Sequence, residues 1–202
     1  MAVRLKTKWH KSKRSERNRR GSNAPKKLED LSSVIGINIW KLAKEAFLRM
    51  EKEGYRFKED SQTINVVSEF VFYQLHITDR LIYGLVSEEE RGNFINATAK
   101  YLVESIVENQ TELLGPGDYH HEFISLMNQR LGSYAECDFE NGNPSYEFTR
   151  YLALNISELM KQTDSKWVVE QVIDIEAPDI IEKINRVVND VLGLHQRKKM
   201  KK

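Results

Sequence analysis

The stretch that decides the fold is Ser61-Gln62-Thr63-Ile64-Asn65-Val66-Val67-Ser68-Glu69-Phe70-Val71-Phe72-Tyr73-Gln74-Leu75-His76-Ile77-Thr78-Asp79-Arg80-Leu81-Ile82-Tyr83-Gly84-Leu85. Its apolar residues fall around most of the circumference of a helix, which places this segment at the centre of a helical body. At 100° per residue with Glu69 at zero, His76 lies at about −20°, Arg80 at about +20°, Tyr83 at about −40° and Asp79 at about −80°. Val67, Phe70, Val71, Thr78, Leu81, Ile82 and Leu85 lie opposite. Glu69, Phe72, His76, Asp79 and Tyr83 therefore share one stripe.

The same periodicity continues on both sides of this element. A preceding helix is expected near 29–53, with Leu31, Val34, Ile35, Ile39, Leu42, Ala43, Ala46, Phe47 and Met50 inward and Gly54 as its stop. Ser87-Glu88-Glu89-Glu90 is a capping box that opens a helix to about Leu113, with Ile95, Ala99, Leu102, Ile106 and Leu113 as its stripe. The turn Gly115-Pro116-Gly117 ends it. Asp118 caps the next helix, about 119–138, which carries Phe123, Met127, Leu131 and Tyr134.

Asn141-Gly142 marks a turn, and Asn143-Pro144 opens a helix with Phe148, Leu152, Ile156 and Leu159 inward. A sixth helix is expected near 165–176 and a seventh near 178–193, with Pro178 in its first turn. Val168, Val172, Ile173 and Ile175 have no partner segment nearby, so no sheet is expected. The fold class is all-α, a single globular bundle of six or seven helices with disordered basic N- and C-terminal tails.

Charge divides the chain into three. Of 31 basic and 30 acidic residues, segment 1–27 holds eleven basic and one acidic, a charge of +10. Segment 197–202 holds five basic residues, +5. The middle, 28–196, keeps the other fifteen basic and 29 acidic residues, −14. Between Leu5 and Leu28 the arm has one large apolar residue, Trp9. That is too little to offset an ordering cost of ~1–2 kcal/mol per residue, so 1–27 reads as a disordered arm.

Several classes fall away. A lone cysteine, Cys137, makes no intramolecular disulfide, and its flanking Glu136 and Asp138 disfavour a reactive thiolate. The longest uncharged run is the ten residues Leu31 to Trp40, half a membrane span. No apolar stretch near the N-terminus resembles a secretory signal, so the expected location is cytoplasmic, or nuclear in a eukaryote. Gly115-Pro116-Gly117 lacks the lysine and strand of a phosphate-binding loop, and Asp138 to Thr149 lacks the spacing of a calcium loop. Three Asn-x-Ser/Thr sequons lie inside expected helices.

Two constellations are left. Glu69, His76 and Asp79, joined by His120, form a metal-ligand set on paper, with carboxylates and imidazoles from facing helices. Carboxylate-bridged bundles, however, take a Glu-x-x-His pair from each of two helices, and the chain contains none. Without that motif the stripe reads as a solvent face or a partly buried hydrogen-bond cluster, and no cofactor is expected.

The arm residues Lys6, Lys8, Trp9, Lys11, Lys13, Arg14, Arg17, Arg19 and Arg20 combine dense cation with an aromatic ring. That composition suits segments that lie along RNA or DNA phosphates. The expected function is a non-enzymatic adaptor whose basic tails contact a polyanion: nucleic acid, a ribonucleoprotein or an acidic protein surface. The alternatives are a metal- or small-molecule-binding bundle, and a peripheral membrane protein anchored by the amphipathic helix 178–193 together with the tail 197–202, or a protein-docking protein. Homo-oligomerisation is compatible with either.

Overall fold

A computed structural model describes residues 31–161 and 167–193. The basic segments 1–27 and 197–202 lie outside them. The described chain is a helical bundle: α1 Ser32–Lys52, α2 Asp60–Ile82, α3 Glu88–Leu114, α4 Tyr119–Ala135, α5 Tyr146–Leu159, α6 Val168–Gln171 and α7 Ala177–Leu192. Helix α2 is the central element, and every residue from Val66 to Thr78 is buried. Its all-round apolar surface needs partners on every side, and α1, α3, α4, α5 and α7 supply them.

Short connections at 53–59 and 83–87 make α1, α2 and α3 alternate in direction. Helix α5 runs antiparallel to α2: Gln62 donates to the Leu159 carbonyl at one end, and the Tyr73 hydroxyl meets Thr149 Oγ1 at 3.1 Å farther along. Helix α7 runs antiparallel to α1. Arg49 contacts Glu176 and Asp179, whereas Lys183, farther along α7, contacts Glu45, one turn earlier on α1. The start of α1 and the end of α7 therefore share one pole of the bundle. Asn185 Nδ2 donates to the Gly142 carbonyl beside Leu81, fixing the α7 C-terminal half against the C-terminal end of α2.

Several expectations are corrected. Asn143-Pro144 does not open α5; Ser145 does, accepting from the Phe148 amide. The Asn141-Gly142 turn instead joins a two-residue hairpin in which Phe139 pairs with Pro144 and Glu140 with Asn143. Both turn residues have positive φ, 54° and 83°, the geometry that favours Asn-Gly in two-residue hairpins. A small sheet thus exists where none was expected.

The sixth and seventh helices are not separate either: a π-helical turn, Val172–Glu176, fuses α6 to α7 without a break. Pro178 has no N–H to extend the ladder before it, and the hydrogen-bond register widens in the turn just preceding it.

The α3 stripe is rotated by about one residue from the expected one. Phe94, Thr98, Leu102, Val103, Ile106 and Asn109 are buried, while Ile95, Ala99 and Leu113 are half-buried. The capping box at Ser87 and Glu90 is present with both reciprocal hydrogen bonds. Asp118 stands at the N-cap of α4 but makes no side-chain cap.

Candidate functional site

The polar stripe is not a solvent face along α2 itself; Tyr83, its last member just beyond the helix, is exposed. Glu69 is 1 % exposed and His76 6 %. It is a buried hydrogen-bond cluster, and each titratable member faces an arginine.

Arg130 reaches in from α4. Its Nε donates to both Glu69 carboxylate oxygens, at 2.9 and 3.0 Å, and its Nη2 lies 2.9 Å from Oε1. Burial raises the Glu69 pKa above the usual carboxylate range, and the Arg130 hydrogen bonds and charge oppose that rise. Asp79 is clamped by Arg91 of α3, whose Nη1 lies 2.7 Å from both oxygens while its other nitrogens hold Glu88. Here too burial raises the carboxyl pKa against the pull of the guanidinium.

His76 packs against the rings of Tyr134 and Phe148. Burial, together with the charges of Arg80 and Arg91, pushes its pKa down to about 4. The ring is therefore neutral at physiological pH. Its Nε2 accepts from Arg80 Nε at 3.2 Å, which puts the ring proton on Nδ1. Arg80 is held in turn by the carbonyls of Ala135 and Cys137 just beyond α4.

Beside the cluster lies a cleft of about 230 Å³, bounded by Leu75, His76, Asp79, Arg91, Ile95 and Leu131. Gly92 forms part of its wall. A neutral imidazole next to a closed Asp–Arg pair offers hydrogen bonding but no uncompensated charge.

The proposed ligand set does not converge. His120 is exposed in the first turn of α4, ten residues before Arg130 and fourteen before Tyr134. At 1.5 Å per residue it stands roughly 15–20 Å along the helix from the residues that meet Glu69 and His76. Among the described residues, no three His, Cys, Asp or Glu side chains are arranged to hold a metal. The Cys137 thiol is pushed up by burial and by Glu147, with Asp138 and Glu136 adding to the rise, as its acidic neighbours suggested.

Of the cluster's arginines, Arg80 was legible beside the α2 stripe, whereas Arg91 and Arg130, from other helices, were missed. Arg130 sits between Met127 and Tyr134 at the inward spacing of α4, and a cation on an otherwise apolar stripe was the available signal. A second buried carboxylate, Glu176 in the π turn, was also missed; it is fully buried, with Arg49 Nη2 2.7 Å from Oε2 and Gln171 donating to Oε1.

No helix of the described residues is long and apolar enough to cross a membrane. The arm residues Lys6, Lys8, Trp9, Lys11, Lys13, Arg14, Arg17, Arg19 and Arg20 lie outside the described residues. No family model, curated protein or solved structure matches this chain.

Proposed function

We propose that this protein is a non-enzymatic adaptor that binds nucleic acid through its basic terminal segments, with the helical body as an acidic carrier. The observation that carries the reading is charge segregation: +10 over 1–27 and +5 over 197–202 against −14 over 28–196. Trp9 within the arginine-rich arm favours nucleic acid over an acidic protein surface, because an indole stacks on an unpaired base.

The interior supports the same reading. Arg49, Arg91 and Arg130 are engaged with carboxylates, and Arg80 with two carbonyls and His76. These four arginines serve the fold, whereas exposed body cations such as Lys52, Arg56, Lys100 and Arg150 sit among more numerous carboxylates.

The test is a salt titration with single- and double-stranded oligonucleotides. If six to eight arm cations engage, log K falls against log salt with a slope of roughly −4 to −7, at ~0.7 per contact on single strands and ~0.9 on duplex. Deleting 1–27 nearly abolishes binding, because the remaining chain has a net charge of −9 and keeps, of the basic terminal segments, only the five cations of 197–202. Trp9→Ala costs ~1–3 kcal/mol on single strands and almost nothing on duplex. Equal affinity of the full-length and deleted proteins would remove nucleic acid from the account, and binding to polyglutamate alone would move it to an acidic protein.

A further inference from the structure

Glycine weakens a helix relative to alanine, and Gly92 lies inside α3, one residue after the arginine that clamps Asp79. Nothing in the packing requires a glycine there: a Cβ built at Gly92 would meet no atom within 4 Å. Gly92 borders the cleft of about 230 Å³ between α2, α3 and α4, and its missing side chain helps to leave that space open. Helix α2 contributes Leu75, His76 and Asp79 to the lining. Helix α3 adds Ile95 and Asn96, one turn beyond Arg91 and Gly92, and α4 adds Leu131.

The polar groups of this cleft are fixed in kind. His76 Nε2 accepts from Arg80, so the ring proton sits on Nδ1. That N–H has no acceptor among the described residues, and it is not one of their sealed, unpaired atoms. The ring is 6 % exposed and borders the cleft, which is where this donor meets solvent. Asp79 follows at i+3, on the same side of α2, and borders the same space. Arg91 Nη1 donates to both of its oxygens, but a carboxylate has about four lone-pair sites, so acceptor capacity is left over. An unused donor and an unfilled acceptor thus share one cleft with the aliphatic side chains of Leu75, Ile95 and Leu131. Net charge is balanced there: a cationic ligand meets Arg91, and an anionic one meets Asp79.

We propose that this cleft binds a small neutral carboxamide bearing an aliphatic group, its carbonyl accepting from His76 Nδ1 and its N–H donating to Asp79. An amide satisfies both groups at once, whereas a ketone engages the first alone. The aliphatic part lies against Leu75, Ile95 and Leu131. The volume is below the ~300–1,000 Å³ of sites for drug-sized molecules, which sets the ligand's size. The site is built from the helical body and is independent of the nucleic-acid reading.

The test uses the full chain with ¹⁵N-labelled histidine and cyclohexanecarboxamide as the probe. Long-range ¹H–¹⁵N spectra follow the His76 ring nitrogens, whose signals are assigned by their loss in His76→Gln. A saturable shift at Nδ1 is expected, with a Kd of roughly 1 mM. Cyclohexyl methyl ketone, which lacks the N–H, binds roughly tenfold more weakly, and cyclohexanecarboxylate and cyclohexylmethylammonium at least as weakly as the ketone. Gly92→Leu fills the cleft and abolishes the shift without lowering the thermal midpoint, while Gly92→Ala weakens binding only a few-fold. No saturable shift up to about 20 mM probe overturns the site. Equal affinity for the carboxamide and the carboxylate, or for the carboxamide and the ketone, overturns the ligand chemistry. Undiminished binding by a folded Gly92→Leu protein overturns the location. Should Gly92→Leu fail to fold, Gly92→Ala reports the location, unchanged binding overturning it, and the ligand series on the native chain decides the chemistry.

Discussion

Replacing Arg130 with Met isolates what the buried pair on α2 contributes. The substitution keeps an unbranched apolar stem in place and removes the guanidinium that donates to both Glu69 oxygens. Glu69 is almost wholly buried and the Arg130 side chain is 16 % exposed, so solvent screens the pair little. Breaking one side of such a pair costs ~3–5 kcal/mol, because the other charge is left desolvated and alone. Against a total stability of ~5–15 kcal/mol the variant still folds.

The loss depends on pH, and its sign follows from Glu69. Burial already raises its pKa above 4.5, and removing Arg130 takes away the two influences that hold it down. In the variant, the native state binds the proton at pH values where the unfolded chain does not. Stability relative to the native sequence therefore recovers as pH falls towards the unfolded value, by up to ~1.4 kcal/mol per pH unit.

The assay is urea unfolding of the native chain, Arg130→Met, and Arg130→Met with Glu69→Gln, at pH 8.0 and 5.5. The single variant is expected to lose ~3–5 kcal/mol at pH 8.0 and clearly less at pH 5.5, and the double variant should show no such pH difference. A loss below about 1 kcal/mol at pH 8.0, or an equal loss at both pH values, would refute the reasoning.

Three further outcomes follow from the same interior. Tyr134 is fully buried and its hydroxyl has no hydrogen-bond partner among the described residues, so Tyr134→Phe should leave stability unchanged or raise it by about 1 kcal/mol; a clear loss in thermal unfolding would show that the hydroxyl is satisfied by water. A Cβ at Gly36 would stand 2.5 Å from Cδ1 of the Tyr101 ring, so Gly36→Ala should cost ~1–3 kcal/mol despite its better helix propensity, and stabilisation in urea would contradict the close approach of α1 and α3. His76 has a folded pKa of about 4 against 6.5, so the stability tied to its neutral form is intact above pH 6.5 and is lost as pH falls towards 4, by ~3 kcal/mol in all. His76→Gln should remove that acid-side loss, and parallel pH–stability curves for the two proteins would refute it.

Much of the fold is legible in local pattern, and the parts that are not have identifiable causes. Helix α2 betrays its central place because no face of it is polar for long, and Ser87 to Glu90 announces its cap by spacing alone. The α3 stripe is harder to read because two of its buried residues are polar. Thr98 Oγ1 donates to the Phe94 carbonyl, and Asn109 Nδ2 to the Ser105 carbonyl. Side chains that satisfy themselves one turn back can be buried at little cost, and hydropathy does not see them.

The π turn hides for another reason: proline at 178 reads as a helix start, yet the preceding turn absorbs it by widening its register. The pairs Glu69–Arg130 and Arg49–Glu176 span 61 and 127 residues, and no local pattern reaches that far. Even so, a lone carboxylate in an apolar helix implies a cation somewhere opposite.

Those long-range pairs also constrain where anions can bind. For Arg130 to grip a phosphate it would have to leave Glu69, and for Arg49 to do so it would have to leave Glu176. Each departure strands a buried carboxylate at ~3–5 kcal/mol, more than a single exposed phosphate contact returns. The interior thus removes its own arginines from competition, while the exposed surface of a −14 body repels a strand that approaches broadside. The buried pairs therefore hold Arg49 and Arg130 inside the fold, while Lys52, Arg56, Lys100 and Arg150 stay exposed on the body among its more numerous carboxylates.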